Sequence, residues 1–230
     1  MPAGRPRTAK LLTETDVPMT RATALAMKLA LITGQRIGEV CGIAESELAT
    51  DAALPIWVIP RGRTKNSEPN RVPLTPIALR VIAEARKLAA GSEWLFPGPT
   101  GEAMLTHSAT RALERSRRAI GLEHFRIHDL RRTAATGMAE LGISPHTIGL
   151  VLNHIMVRRG TITSGVYIHY AYDKEKREAL EVWGRRLEEI LGLPIESDAR
   201  HAMEWPEVVV PARRKEATDL YFDMTDTWLF

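Results

Sequence analysis

The sequence lacks several features that would define other protein classes. It has a single cysteine, Cys41, which cannot form an internal disulfide and is typical of a reducing compartment. Its longest apolar stretches, such as 29–33, fall far short of the about 20 residues needed to cross a bilayer. The basic first ten residues run into Leu-Leu-Thr-Glu rather than an apolar core, so they do not form a secretory signal. The sequence therefore predicts a cytoplasmic protein rather than a membrane protein.

The absence of other features limits the domain organisation and the class of reaction that we expect. The chain has no internal repeat and no low-complexity segment, and its 230 residues allow one large domain or a domain with an appendage. It has no His-Glu-x-x-His motif and no paired-carboxylate spacing, which disfavours a metal-dependent phosphohydrolase. We therefore expect neither a metal nor another cofactor.

Charge is distributed unevenly along the chain. Residues 196–230 carry eight acidic and four basic side chains, a balance of −4, so residues 1–195 carry +7 within the overall net charge of +3. A basic body favours a polyanionic partner, because lysine and arginine release counterions when they contact phosphates. The same charge also fits a well-solvated protein surface.

Capping residues and apolar spacing predict a mainly helical body. Helices are predicted over 20–33, 75–91, 106–121, 128–142 and 144–153, and a further helix is predicted to begin with Asp173 as its cap. The runs 55–60 and 70–74 favour β-structure and are separated by a polar, turn-prone segment, which predicts a hairpin whose turn carries Lys65. The expected fold class is α+β, mainly α with a small antiparallel β-sheet.

Three local patterns carry chemically useful side chains. The first is Thr-Gly-Gln-Arg-Ile-Gly-Glu, with Arg36 just after a helix and a glycine. The second is His-Asp-Leu-Arg-Arg-Thr, in which the spacing predicts His128 and Arg131 on one helix face. The third is Leu-Asn-His at His154, followed thirteen residues later by Tyr167.

Together with the hairpin lysine, these patterns resemble the catalytic domain of the tyrosine recombinases, the phage integrase family. The resemblance covers about residues 10–190 and is closest to the integrases of mobile genomic islands. It implies a tyrosine recombinase catalytic-domain fold and six catalytic positions, in the family's order: Arg36, Lys65, His128, Arg131, His154 and Tyr167.

The chemistry of each group fits the role that the resemblance implies. The planar guanidinium groups of Arg36 and Arg131 can supply paired donors to the oxygens of a phosphodiester under attack. Tyr167 would be the nucleophile, with His128 as its base or acceptor, and His154 would donate to a phosphate oxygen. Lys65 would protonate the departing 5′ oxygen. Because the phosphotyrosyl bond retains the bond energy, rejoining would require neither ATP nor a metal.

Several neighbouring residues have other interpretations. Tyr170 and Tyr172 are rival nucleophiles but are expected to pack at the start of the last helix. Glu39 is expected to be a structural partner of an arginine or a backbone group. The sequence departs from the family at Asn153, where glycine is usual, and at Asn70, where a histidine is frequent.

The resemblance also implies partners and a domain arrangement. Such integrases usually have a helical DNA-clamping domain before the catalytic domain, so we expect this chain to be a fragment. We divide it into a catalytic domain over 1–193, with a flexible basic lead-in over about 1–12, and an acidic, aromatic-containing tail over 194–230 that docks in cis or on a neighbouring protomer. The expected partners are double-stranded DNA at attachment sites, three further copies in a homotetramer, and accessory DNA-bending or directionality proteins.

Two alternatives remain open at the level of the sequence. The same constellation fits a type IB topoisomerase-like enzyme that relaxes DNA as a monomer. The chain could also be a non-enzymatic DNA-binding module that retains the fold, in which case some of the six positions would not converge.

Overall fold

A computed structural model describes residues 19–65, 67–119, 125–154 and 171–193, with side chains of 118 and 119 excluded. Within these residues the chain forms seven α-helices and one sheet of three short strands. In chain order the elements are α1 (Arg21–Thr33), α2 (Ile37–Cys41), β1 (Leu48–Ala49), β2 (Ile56–Ile59), β3 (Asn70–Pro73), α3 (Pro76–Ala89), α4 (Thr106–Ala119), α5 (Asp129–Glu140), α6 (Pro145–Val151) and α7 (Asp173–Leu191). The predicted fold class, mainly α with a small antiparallel sheet, is confirmed.

Local capping explains where several helices begin. The Thr20 hydroxyl accepts a hydrogen bond from Thr23 N at 3.3 Å, and the Ser144 hydroxyl accepts one from Thr147 N at 3.1 Å. Each bond satisfies a backbone N–H that has no partner within the helix. Pro145 follows Ser144 at the first helical position, where proline's fixed φ already suits the helix. These starts are therefore set by the sequence itself.

The sheet is antiparallel throughout, in the order β1-β2-β3. The predicted hairpin is confirmed, with Ile59 opposite Asn70 and Ile56 opposite Pro73. Strand β1, which the sequence did not predict, has only two residues and pairs with the outer edge of β2. Beside it, Trp57 Nε1 donates to the Glu47 carboxylate at 2.9 Å.

Helix α1 lies at the centre of the core. It packs against α3, α5 and α7, and residues such as Leu25 and Leu29 are fully buried. Trp183 of α7 donates its indole N–H to Leu31 O at 3.0 Å, which satisfies the polar edge of a buried ring. A Cβ atom at Gly137 of α5 would lie 2.3 Å from the Trp183 ring, so only glycine allows this close approach.

The start of α7 is fixed against the hairpin by charged groups. Arg71 of β3 pairs with Asp173 at 2.7 Å, and the buried Lys176 ammonium donates to Arg71 O. The guanidinium of Arg177, also buried, donates to Pro55 O at 2.8 Å. The prediction that Asp173 caps this helix is wrong: Tyr172 is the N-cap residue, and Asp173 is the first helical residue, where its carboxylate turns to Arg71 and Lys176.

No helix in the described part of the chain is long and apolar enough to cross a membrane. The proposed tail over 194–230 and the lead-in over 1–12 lie outside the described residues, so the predicted domain boundary stays a prediction.

Candidate active site

Arg36 stands at a sharp corner between α1 and α2. The corner begins at Gly34, whose φ of 68° lies in the left-handed region that favours glycine. Arg36 is the N-cap residue of α2, and the Glu39 carboxylate accepts from Arg36 N at 3.1 Å and from its guanidinium at 3.0 Å. Because Glu39 is only 5% exposed, this pair holds the arginine in a defined direction. Glu39 is thus the structural partner that the sequence predicted.

Arg131 is buried on α5, with 5% of its surface exposed. Its guanidinium donates to Gly34 O at 3.0 Å and to Leu152 O at 2.5 Å. One side chain thereby joins the Arg36 corner to the end of α6, across sequence separations of 97 and 21 residues. Burial, helped by the charge of Arg36 and opposed by Glu39, lowers the pKa of Arg131 to about 10, so it remains a cation at neutral pH.

His154 follows α6 and lies two residues after Leu152, whose carbonyl accepts from Arg131. Asn153 before it adopts a φ of 51°, and asparagine tolerates this left-handed conformation better than most residues other than glycine. Asparagine can therefore occupy this position, at which the resemblance led us to expect glycine. The pKa of His154 is lowered by partial burial and by the positive charges of Arg131 and Arg36. These three predicted catalytic residues therefore share one electrostatic environment.

The loop that carries Lys65 is attached to the same region at its base. Arg63 donates to Glu39 O at 2.8 Å, and Asn153 Nδ2 donates to Glu68 O at 3.2 Å. The Thr64 hydroxyl closes the loop by donating to Glu68 O at 2.7 Å. Lys65 itself is exposed between these attachments, so its ammonium is available to a ligand.

His128 lies at the start of α5. It is the N-cap residue and is exposed, whereas Arg131, three residues later, is buried. The backbone of His128 is already helical, with a φ of −71° and a ψ of −18°, so the spacing of three residues still places it on the side of the helix that carries Arg131. Its role as a base or acceptor stays a prediction.

The predicted nucleophile Tyr167 and its neighbour Tyr170 lie outside the described residues. Tyr172 is described, and its ring meets that of His146 edge-on at a centroid distance of 5.8 Å. This contact confirms the expectation that Tyr172 packs at the start of the last helix.

Two polar residues close to the site are buried, Gln35, which the sequence did not single out, and Asn70, which it marked only as a departure from the family. Asn70 Nδ2 donates to Gln35 Oε1 at 3.1 Å. A signal was present, since an amide side chain directly before Arg36 follows a helix whose last turn is fully buried. Buried polar groups almost always have hydrogen-bond partners, so Gln35 required one.

The arrangement is suited to an anion. The repulsion between the guanidinium groups of Arg36 and Arg131, and their opposition to a protonated His154, would both be relieved by a bound phosphate. Within the described ranges no cluster of three or more histidine, cysteine or acidic residues is arranged to hold a metal ion.

The charge environment of His154 gives a direct prediction. Its pKa should lie below the ordinary 6.5, so the ring is neutral at pH 7, and an NMR titration of its ring protons should have a midpoint below that value. Arg36→Gln should move the midpoint upward because it removes one of the repelling charges. Arg21→Gln, which removes a surface partner of Glu84, is the control and should leave it unchanged. A midpoint at or above 6.5 in the unmodified protein would contradict the site geometry.

The comparisons with known proteins point to one family. The model of the phage integrase family matches residues 7–174. Over 144 residues the chain is 26% identical to the tyrosine recombinase XerC of Corynebacterium glutamicum, covering 62% of this chain and 45% of that protein. Over 148 residues it is 30% identical to XerC of Mesorhizobium japonicum, covering 62% and 46%. The chain thus spans about half the length of these relatives.

Solved structures show the same fold. The integrase from mycobacterium phage Brujita aligns with a TM-score of 0.59 and 16% identity, over 83% of this chain and 63% of that one. The site-specific recombinase XerH bound to its difH substrate aligns at 0.54 and 20% identity, over 73% and 49%. A lambda integrase tetramer bound to a Holliday junction aligns at 0.51 and 21% identity, over 64% and 44%.

Proposed function

Since the chain belongs to the phage integrase family, we propose that it is the catalytic part of a site-specific DNA recombinase that integrates or excises a mobile element. The observation that carries this proposal is the pair of hydrogen bonds from the Arg131 guanidinium to Gly34 O and Leu152 O. These carbonyls lie two residues before Arg36 and His154, so three separate segments of the chain meet at one arginine. Such a set of donors fits the scissile phosphate of a DNA strand.

The arginines bind and polarise the phosphate. A guanidinium has five N–H groups, and the two hydrogen bonds from Arg131 to backbone carbonyls leave further donors for a phosphate oxygen. Glu39 similarly orients Arg36 while using only part of its donors. Since these groups are fixed before DNA arrives, they stabilise the charge that develops on the nonbridging oxygens without reorganising.

Tyrosine attack then exchanges one phosphodiester for another. The Tyr167 oxygen forms a bond to phosphorus on the 3′ side, its proton passes to His128, and the bond from phosphorus to the 5′ oxygen breaks. Lys65 gives a proton to that 5′ oxygen, so the leaving strand ends in a hydroxyl. His154 has a ring N–H to donate to a phosphate oxygen in either of its protonation states. The reverse sequence, with a 5′ hydroxyl from another strand, rejoins the DNA.

A nicked suicide duplex tests this function. The nick lies close to the cleavage position, so the short 5′-hydroxyl strand diffuses away after cleavage and the covalent adduct accumulates. Incubation with a duplex that carries the attachment core should give a protein–DNA band that survives denaturation and disappears after proteolysis. If the band forms equally well on any supercoiled or nicked DNA and plasmid is relaxed without an attachment site, the enzyme is a topoisomerase rather than a recombinase.

Recombination further requires assembly on two DNA sites. The lambda integrase neighbour is a tetramer bound to a Holliday junction, and this supports a homotetramer of this chain on paired attachment sites. Accessory DNA-bending or directionality proteins would set whether integration or excision prevails.

The acidic tail provides a test of that assembly. Five of the thirteen aromatic residues lie within 194–230, whereas a disordered acidic segment usually has few aromatic residues. Deleting residues 196–230 should therefore reduce recombination between paired sites more than cleavage of a single site, measured in parallel with the same protein preparation. Unchanged recombination by the truncated protein would show that the tail has no part in assembly.

A further inference from the structure

Gln35 is a buried side chain whose hydrogen bonds define its orientation. It is 1% exposed, and its Nε2 donates to Thr33 O at 2.8 Å and to Val151 O at 2.9 Å. Its Oε1 accepts from Asn70 Nδ2 at 3.1 Å. Both N–H groups are used on carbonyls, so the amide oxygen is the atom that must face Asn70.

The partners of this amide belong to three different parts of the site. Gln35 directly precedes Arg36, Val151 lies three residues before His154, and Asn70 is the first residue of β3, five residues after Lys65. The contacts span 116 residues to Val151 and 35 residues to Asn70. A single amide therefore joins the Arg36 corner, the end of α6 and the strand that follows the lysine loop.

Asn70 is the link to the loop itself. It is 2% exposed and lies opposite Ile59, where the two strands of the hairpin meet the loop. On the other side, Asn153 Nδ2 reaches Glu68 O at 3.2 Å. The loop is consequently held at Glu68 and at Asn70, while Lys65 in the same loop remains exposed.

We propose that Gln35 and Asn70 are positioning residues that hold the Lys65 loop in place against Arg36 and His154, so that the lysine ammonium reaches the leaving oxygen. This inference rests on the proposed function. Neither residue contacts the DNA, and their effect on the reaction passes through Lys65. An apolar residue at either position would leave a buried amide without its partner and free the loop from the arginine corner.

The test separates protonation of the leaving group from the other steps. The variant Asn70→Leu keeps the branching and the number of heavy atoms of the side chain and removes its donor. Single-turnover cleavage is measured on two nicked duplexes, one with the normal 5′ oxygen at the scissile phosphate and one with sulfur in its place. A thiolate leaves without help from a general acid because the pKa of a thiol is far lower than the pKa of an alcohol.

A misplaced Lys65 gives a distinctive result. Asn70→Leu should cleave the oxygen duplex about 10-fold to 100-fold more slowly, as expected when an acid is moved from its position. On the sulfur duplex it should match the unmodified protein, and its affinity for DNA should not change. Asn70→His retains an N–H donor at the corresponding place and should recover most of the rate on the oxygen duplex.

One control variant and one further test variant accompany Asn70→Leu. Ser116→Ala removes another buried hydrogen bond, from the Ser116 hydroxyl to Ala112 O at 2.8 Å on α4, and should leave the ratio between the two duplexes unchanged. Gln35→Met tests the other partner and should reproduce the Asn70→Leu ratio. Thermal melting of each variant reports folding.

The inference is overturned if Asn70→Leu slows both duplexes equally, or if it slows neither, since in both cases the contact has no specific connection to Lys65. If Asn70→Leu does not fold, the ratio for Gln35→Met decides the question in the same way, and Asn70→His should still cleave the oxygen duplex at close to the unmodified rate. Failure of the proposed function looks different, because the unmodified protein would then form no adduct with either duplex.

Discussion

Replacing Tyr167 with phenylalanine should abolish the covalent protein–DNA adduct while folding and DNA binding are retained. The substitution removes only the hydroxyl, and without it no atom at this position can form the bond to phosphorus. The adduct on a nicked suicide duplex should therefore fall below detection, whereas the gel-shift affinity and the melting temperature should match those of the unmodified protein.

The neighbouring tyrosines are the matched controls. Tyr172→Phe removes a hydroxyl from a ring that packs edge-on against His146, and Tyr170→Phe removes one from the rival nearest Tyr167. Both variants should still form the adduct. If Tyr167→Phe becomes attached to DNA and peptide mapping finds the DNA on Tyr170 or Tyr172, the nucleophile is wrongly assigned although the recombinase function stands.

Arg131→Lys should lower cleavage by about 100-fold or more, because the ammonium lacks the paired donors of the guanidinium. The structure adds a second consequence. Lysine offers one compact group where arginine donates to both Gly34 O and Leu152 O, so one of these buried carbonyls loses its partner. The melting temperature should fall together with the rate, while nonspecific DNA affinity should change little because the charge is retained.

Arg132→Lys is the control for this substitution. Its side chain is 76% exposed and pairs with Asp129 on the surface of the same helix. This variant should keep both the cleavage rate and the melting temperature. If Arg131→Lys reduces cleavage and nonspecific DNA binding by the same factor, Arg131 serves to hold DNA and does not act on the transition state.

Much of the fold could be predicted because its determinants are local. Ser144 and Pro145 begin α6 through a hydrogen bond within four residues, and Thr20 does the same for α1. The hairpin follows from two β-favouring runs and a polar turn. The order of the arginines, histidines and lysine also identified the family before any contact was known, and the family match over residues 7–174 agrees with it.

Other features depend on contacts between distant parts of the chain. The two-residue β1 has no recognisable sequence pattern and exists because β2 offers it an open edge. Aspartate is a frequent N-cap residue, yet the Asp173 carboxylate pairs with Arg71, 102 residues earlier, and Tyr172 is the N-cap residue instead. At this position a long-range ion pair, which residue spacing does not reveal, outweighs the local preference of aspartate for the N-cap position.

The candidate site likewise has features that can be read from the sequence and features that only the fold decides. The sequence by itself determined which side chains are present, since arginine, lysine and histidine types can be read directly with their chemistry. Only the tertiary structure decided that Arg131 is buried on the carbonyls of Gly34 and Leu152, that Asn153 turns with a positive φ before His154, and that Gln35 joins three segments. The physical reason is that a helix start is encoded by hydrogen bonds within one turn, whereas these contacts close distances of 21 to 116 residues and form only when the whole core has packed.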